Sequence, residues 1–265
     1  MRKVLYFFSA MKLYLLLLLV LAVFFVNKEQ EVEVFLFLGQ SNMFGYNTDS
    51  SVLPESLHPD PHVQNFKNGR WHPFVLEKQV GPELSASGLL ARSSDIGIIK
   101  LAVNSTSLFA WSPNWSVDKA ELTGNVKSGF LFKKLLDVVS EAKRTKKISI
   151  QAIFWMQGET DAKYEIAAVQ YKENLIELIT ALRSEFGDPE LPFIFGLVDP
   201  PVSCCPNRDI VRKAQLEVAN IMDRVEIVSI DDLSRQADQL HLDENGQIAL
   251  GRRYAETYLD LKGVD

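Results

Sequence analysis

Apolar, β-rich runs separated by helical patterns constrain this chain more than any other feature. The runs are Glu33–Leu38, Ile96–Val103, Ile148–Trp155, Phe193–Val198 and Val225–Ile230. Between them, apolar residues recur at spacings of three and four: Leu131, Leu135, Leu136 and Val139 within Phe130–Lys143, then Leu175, Ile176, Ile179 and Leu182 within Val169–Phe186. Further helices are predicted at Gly81–Arg92, Asp209–Met222 and Gly246–Leu261. Strands that are apolar throughout are buried on both faces, and the intervening helices cover those faces. The pattern predicts an α/β fold, a three-layer sandwich with a mostly parallel central sheet. No repeat or linker divides it. The irregular stretch Thr48–Val80, with His58, His62, Trp71 and His72, is long for a loop and reads as functional or as an insertion.

A targeting segment precedes this unit. Arg2, Lys3 and Lys12 lead into an uncharged run, Leu13–Val26, that stops at Asn27-Lys28-Glu29. The run suits a signal-peptide core better than a membrane span, which needs about 20 residues. No small-x-small cleavage site follows it, so a cleaved signal and an uncleaved membrane anchor both stay open. Either way residues 28–265 are expected as a single exported domain, periplasmic, extracellular or membrane-anchored. The whole chain carries a net charge of −6, and losing the three cations of residues 1–27 makes it −9. Such a surface repels polyanions, which argues against nucleic acid as a partner. Cys204 and Cys205 are adjacent, and read as two semi-buried thiols or a vicinal disulfide in a loop. With four scattered histidines they show no zinc-like spacing, and no metal is expected.

In open parallel sheets, ligands bind beyond the carboxyl ends of the strands. Three polar turns fall there. The first, "FLFLGQSNMFGYN" (Phe35–Asn47), breaks a buried strand at Gly39 and sets Ser41 between Gln40 and Asn42. Alone it has two readings: Ser41 or Asn42 caps a helix, or Ser41 is a nucleophile held at a strand end. The second is "FWMQGETDA" (Phe154–Ala162). The third, within "ADQLHLDENGQIALGRRYAE" (Ala237–Glu256), places Asp238 three residues before His241, a spacing that lets a carboxylate orient an imidazole.

Together these stretches resemble the SGNH-hydrolase superfamily, and within it carbohydrate esterases of the sialate O-acetylesterase and acetylxylan esterase type. The G-Q-S-N-M block matches Gly39–Met43, and the W-x-Q-G-E-x-D block matches Trp155, Gln157, Gly158, Glu159 and Asp161. The D-x-x-H block is Asp238 and His241. "VGPEL" (Val80–Leu84) looks like the family's second block, and "VRKAQ" (Val211–Gln215) is similar to a helix motif found there. The resemblance runs from Val34 to Tyr258. One departure concerns the pocket wall: where such esterases often carry a G-G-T-S-like turn, this chain has "NSTSLFAW" (Asn104–Trp111).

The resemblance implies hydrolysis of acetyl esters on carbohydrate through an acyl-serine, with no cofactor. Ser41 is the implied nucleophile, His241 the base and Asp238 its orienting group. Ser41 and Gly81 N–H groups and the Gln157 amide are the implied oxyanion donors, with Gln40, Asn42 and Glu159 in support. Trp111 and Trp155 are open to sugar stacking or to core packing. Neutral acetylated sugars are expected to be favoured over polyanionic ones unless a local basic group intervenes. Sialic acid is the exception, since one arginine in the cleft could accommodate its single carboxylate. Rival readings are a carbohydrate-binding protein without turnover, a lipase or thioesterase, and a glycosidase built on Glu159 and Asp161.

Overall fold

The computed structural model describes residues 31–54, 57, 59–91 and 95–263. The apolar run at Leu13–Val26 lies outside the described residues, and so does His58. Among the described residues no helix is long and apolar enough to cross a membrane.

The chain begins with β1 (Val32–Gly39), α1 (Ser41–Phe44), β2 (Val63–Lys67), β3 (Arg70–Pro73), α2 (Glu83–Ala91), β4 (Ile96–Ala102), α3 (Leu108–Trp111) and α4 (Val117–Glu121). It continues with α5 (Leu131–Thr145), β5 (Ile148–Met156), α6 (Glu165–Val169), α7 (Tyr171–Phe186), β6 (Phe193–Leu197), α8 (Arg208–Ile221), β7 (Val225–Ser229) and α9 (Glu244–Lys262). The sheet order is β3-β2-β4-β1-β5-β6-β7. Every pairing is parallel except β2 with β3. The predicted three-layer α/β architecture is the observed one.

Neighbouring residues of β5 show why helices must cover both faces. Side chains alternate along a strand, so Phe154 and Trp155 point to opposite sides. Phe154 stacks on Tyr254 of α9 with ring centroids 5.1 Å apart, whereas Trp155 meets Trp111 of α3 edge-on at 5.1 Å. Both tryptophans are fully buried, so neither is a sugar platform; they are core. β1, at the centre of the sheet, is sealed from both sides: Val34 to Leu38 are each exposed by 1% or less. Burying side chains of this size contributes about 1.5–3 kcal/mol each, which fixes the strand that carries Ser41.

Thr48–Val80 is not an irregular insertion. It supplies β2, added in parallel to β4, and β3, which turns back as the antiparallel edge. Lys67 pairs with Arg70 across a two-residue turn, Asn68-Gly69, with φ of 51° and 76°. An Asn-Gly pair is a strong short-range signal for such a hairpin. The strands it joins are short and poorly alternating, and hide it. His62 lies at the amino end of β2, where its backbone oxygen accepts from Ile96 N at 2.9 Å. That is the opposite end of the sheet from Ser41.

Candidate active site

β1 can deliver Ser41 to its place only because it ends in glycine. Gly39 has φ of 144°, and a Cβ there would lie 2.0 Å from the Met156 carbonyl oxygen of β5. The chain then turns against β5, with Gln40 N donating to Met156 O at 2.9 Å, and starts the single helical turn of α1. Gln40 occupies the N-cap position without a side-chain capping bond, so neither Ser41 nor Asn42 is the cap. The Ser41 hydroxyl is free for another partner.

That partner comes from the loop between β7 and α9. Asp243 caps α9 by accepting from Gly246 N at 2.9 Å, which anchors the loop's far end. Gln236 N donates to His241 O at 2.8 Å and closes the loop on itself. One Asp238 carboxylate oxygen, Oδ1, accepts from the Leu240 and His241 N–H groups, each at 2.9 Å. The other, Oδ2, lies 2.7 Å from His241 Nδ1. Across the cleft, His241 Nε2 lies 3.1 Å from Ser41 Oγ. With its proton on Nδ1, held by Asp238, the ring presents an acceptor at Nε2 to the serine hydroxyl. Partial burial raises the Asp238 pKa, but the His241 N–H, the His241 ring and the Leu240 N–H more than offset it and leave it lowered. Asp238 is therefore an anion.

Asn42 fastens this loop to the nucleophile turn. Its Oδ1 accepts from Leu242 N at 2.9 Å, and its Nδ2 donates to Leu240 O at 3.2 Å. These are the residues on either side of His241. The same Nδ2 donates to Glu159 Oε1 at 2.7 Å. Burial pushes the Glu159 pKa up, and the Asn42 hydrogen bond opposes that shift. Glu159 supports the serine turn through Asn42. Glu159 and Asp161 are both buried, on one short segment, and do not face each other across an open cleft. Gln40, which precedes Ser41, is buried with Oε1 unpartnered.

Of the two remaining oxyanion candidates, Gln157 is placed differently from the expectation. Gln157 is fully buried, and its Nε2 donates to Thr106 O at 2.9 Å and to the Asp161 carboxylate. Both amide hydrogens are used inside the protein, so this side chain braces two loops instead of pointing at a reacting oxygen. Asp161 also accepts from Leu108 N at 3.1 Å, at the start of α3. Burial raises its pKa to about 7, against the Gln157 and Leu108 hydrogen bonds. Gly81 packs at the far end of α1: a Cβ on it would meet Met43 O at 2.9 Å, with the Glu83 and Lys100 side chains nearer still.

Tyr46 escaped the sequence reading. Its ring lies 4.7 Å from the His241 ring, tilted by 40°, and its backbone oxygen accepts from Gln236 Nε2 at 2.7 Å. It backs the imidazole and ties the loop to the serine segment; its position just after Gly45 was the only available signal. Cys204 and Cys205 are free thiols, one exposed and one buried, outside this constellation. Among the described residues no group of three or more His, Cys, Asp or Glu is arranged to hold a metal ion.

The loops at the carboxyl edge of the parallel sheet bring a serine, a histidine and an aspartate together, an arrangement that serine hydrolases use. Residues 31–260 match the family model described as carbohydrate esterase, sialic acid-specific acetylesterase, and the chain belongs to that family. It is a carboxylic-ester hydrolase of the carbohydrate acetylesterase class. It is 25% identical to a probable carbohydrate esterase of Arabidopsis thaliana, over 86% of this chain and 90% of that one. A solved Arabidopsis thaliana structure superposes with a TM-score of 0.73 at 24% identity, covering 87% of this chain and 99% of that chain. A carbohydrate acetylesterase from Xanthomonas citri superposes at 0.63 with 19% identity, over 85% of this chain and 55% of that chain.

Proposed function

We propose that this protein removes O-acetyl groups from carbohydrate by way of an acyl-serine. The observation that carries the reading is the continuous contact from Ser41 Oγ to His241 Nε2 and from His241 Nδ1 to Asp238. His241 takes the Ser41 proton as the oxygen attacks the ester carbonyl. Asp238 holds the ring in the productive tautomer and balances the imidazolium. The carbonyl oxygen gathers charge, and the Ser41 N–H, in the first turn of α1 where no intrahelical partner exists, is a donor available to it. Collapse of the tetrahedral intermediate expels the sugar oxygen, which takes the proton from His241. Water, deprotonated by the same ring, then attacks the acyl-serine and releases acetate.

Within this reading, residues 1–27 export the domain, and acetylated glycans outside the cytoplasm are its substrates. The Arabidopsis thaliana relative described as a probable carbohydrate esterase and the family's sialic acid-specific description support the carbohydrate class. The test is Ser41→Ala assayed with p-nitrophenyl acetate and an acetylated glycan. Turnover is expected to fall by a factor of roughly 10⁴ or more, since nucleophile and base act as a unit. The melting temperature is expected to stay close to that of the parent. A variant retaining a tenth of the parent's turnover excludes Ser41 as the nucleophile.

A further inference from the structure

The loop between β6 and α8 carries a sequence feature that the hydrolytic chemistry leaves unused, Cys204-Cys205. It reads Pro200-Pro201-Val202-Ser203-Cys204-Cys205-Pro206, so proline rings fix φ on both sides of the pair. The Pro201 carbonyl curls the segment. It accepts from Cys204 N at 3.2 Å, from Cys205 N at 3.1 Å and from the Cys204 thiol at 3.2 Å. The far end is fastened to the loop after β5, where Asn207 N donates to Ala162 O at 2.9 Å and Asn207 Nδ2 to the same oxygen at 3.3 Å.

This turn holds the two sulfurs 2.8 Å apart and gives them unlike surroundings. Cys204 is exposed and Cys205 is buried. The chain has no third cysteine that could compete for either. Burial raises the Cys205 pKa, and the hydrogen bond with Cys204 raises it further. The thiolate is the attacking species, so Cys205 is a poor first nucleophile, and reagents in solution reach Cys204. At close range the balance changes. Reacting atoms held within about 3–3.5 Å gain an effective concentration of roughly 10⁵–10⁸ M, which offsets a small thiolate fraction.

We propose that Cys204 and Cys205 form a redox modification site that exchanges with an external disulfide, Cys204 being the point of attack and Cys205 the resolving thiol. The proposal does not depend on the esterase reading. In the first step the Cys204 sulfur bonds to one sulfur of the reagent, whose own S–S bond breaks. The departing thiolate takes the proton that Cys204 gives up. In the second step the Cys205 sulfur bonds to Cys204 Sγ and expels the other half of the reagent, which takes the Cys205 proton. Two protein thiols are oxidised, and one external disulfide is reduced to two thiols. Compartments outside the cytoplasm, where this domain is proposed to work, supply such disulfides. Neighbouring Cα atoms lie about 3.8 Å apart, less than most disulfides span, and a bond made under that strain is easily reduced. The modification is therefore reversible.

The test treats the reduced full-length protein with oxidised glutathione, quenches with acid, and reads intact mass and maleimide-reactive thiols after unfolding. The parent is expected to lose two hydrogens and both thiols while keeping no glutathione, and dithiothreitol is expected to return both thiols. Cys205→Ser is expected to stop at the first step, with glutathione held on Cys204. Cys204→Ser, left with only the buried thiol, is expected to react at least roughly tenfold more slowly than Cys205→Ser. A parent that keeps both thiols, holds glutathione without closing the ring, or pairs between two molecules overturns the inference. So does Cys204→Ser reacting as fast as Cys205→Ser. The parent's mass decides even where a serine variant does not fold. Ester hydrolysis enters none of these readouts, so a failure of the esterase reading leaves the result intact.

Discussion

Asn42 Oδ1 accepts a hydrogen bond from Leu242 N at 2.9 Å, joining residues 200 apart in the chain and setting the serine turn against the histidine loop. Removing this side chain leaves the Leu242 N–H and the Leu240 carbonyl without it, and strands the buried Glu159 carboxylate. A buried polar group left unpaired costs about 1–3 kcal/mol, and a charged one more. Asn42→Ala is therefore expected to lower both the melting temperature and kcat, the latter by roughly 10- to 100-fold as His241 drifts from Ser41. Adding Glu159→Gln is expected to recover part of the stability and none of the rate. Recovery of both would mean that Asn42 acts only by neutralising Glu159.

Gly39→Ala is expected to destabilise by about 3 kcal/mol or more, because it combines a disfavoured backbone angle with a Cβ driven into a β5 carbonyl. Gly88 is the internal control. It lies inside α2 with nothing within 4 Å of an added Cβ, so Gly88→Ala is expected to stabilise by about 0.5–1 kcal/mol. Chemical denaturation of both variants checks the pair, and similar effects of the two substitutions would contradict the packing around Gly39.

These positions also show what the sequence made legible. The α/β order was readable because it rests on local periodicity, and the Ser41, Asp238 and His241 positions because each sits in a short block at a strand end. The β2–β3 hairpin was written as plainly, in Asn68-Gly69, but its strands are too short to show alternation. The direction of the Gln157 amide was not readable. It depends on Thr106 O, which reaches Gln157 only once β4 and β5 flank β1. Gly81 was assigned from its block, and only the folded chain shows which end of α1 it packs against. Trp111 and Trp155 were ambiguous for a related reason, since what covers a strand's two faces is a tertiary fact.

Asp161 gives stability a pH dependence of known sign. Its pKa, near 3.8 when free and about 7 in the fold, is raised, so the folded state binds the proton more tightly than the unfolded one. The contribution to stability is fully present below about pH 4 and is lost as pH rises through about 7. Within that window it falls by up to about 1.4 kcal/mol per pH unit. Asp161→Asn cannot titrate. Unfolding free energies of parent and variant at pH 5 and pH 8 are expected to show the parent losing more stability than the variant between the two. Parallel behaviour would place the Asp161 titration outside this range.

Acyl-chain length separates a deacetylase from a lipase. The groups around Ser41 Oγ are polar or fixed: His241 at 3.1 Å, with Asn42 and the buried Gln40 in the same turn and Tyr46 behind the imidazole. A longer acyl chain gains about 0.8 kcal/mol per methylene only where apolar surface receives it, and these residues offer little. Relative kcat/KM on p-nitrophenyl esters is therefore expected to fall from acetyl to butyryl and to be nearly lost at octanoyl. A competing acceptor for such a chain exists in the fold, a cavity of about 260 Å³ beside Phe44 that Phe66, Phe74 and Leu76 help to line. It opens at the end of α1 away from Ser41, and the Lys100–Glu83 ion pair, 2.6 Å apart, lies in its wall. Activity rising toward octanoyl would give the acyl chain to this cavity, and Leu76→Trp, which narrows it, would then restore the preference for acetyl. Activity falling with chain length, unaffected by Leu76→Trp, is the outcome expected of an enzyme that cuts acetyl groups and reads the sugar instead.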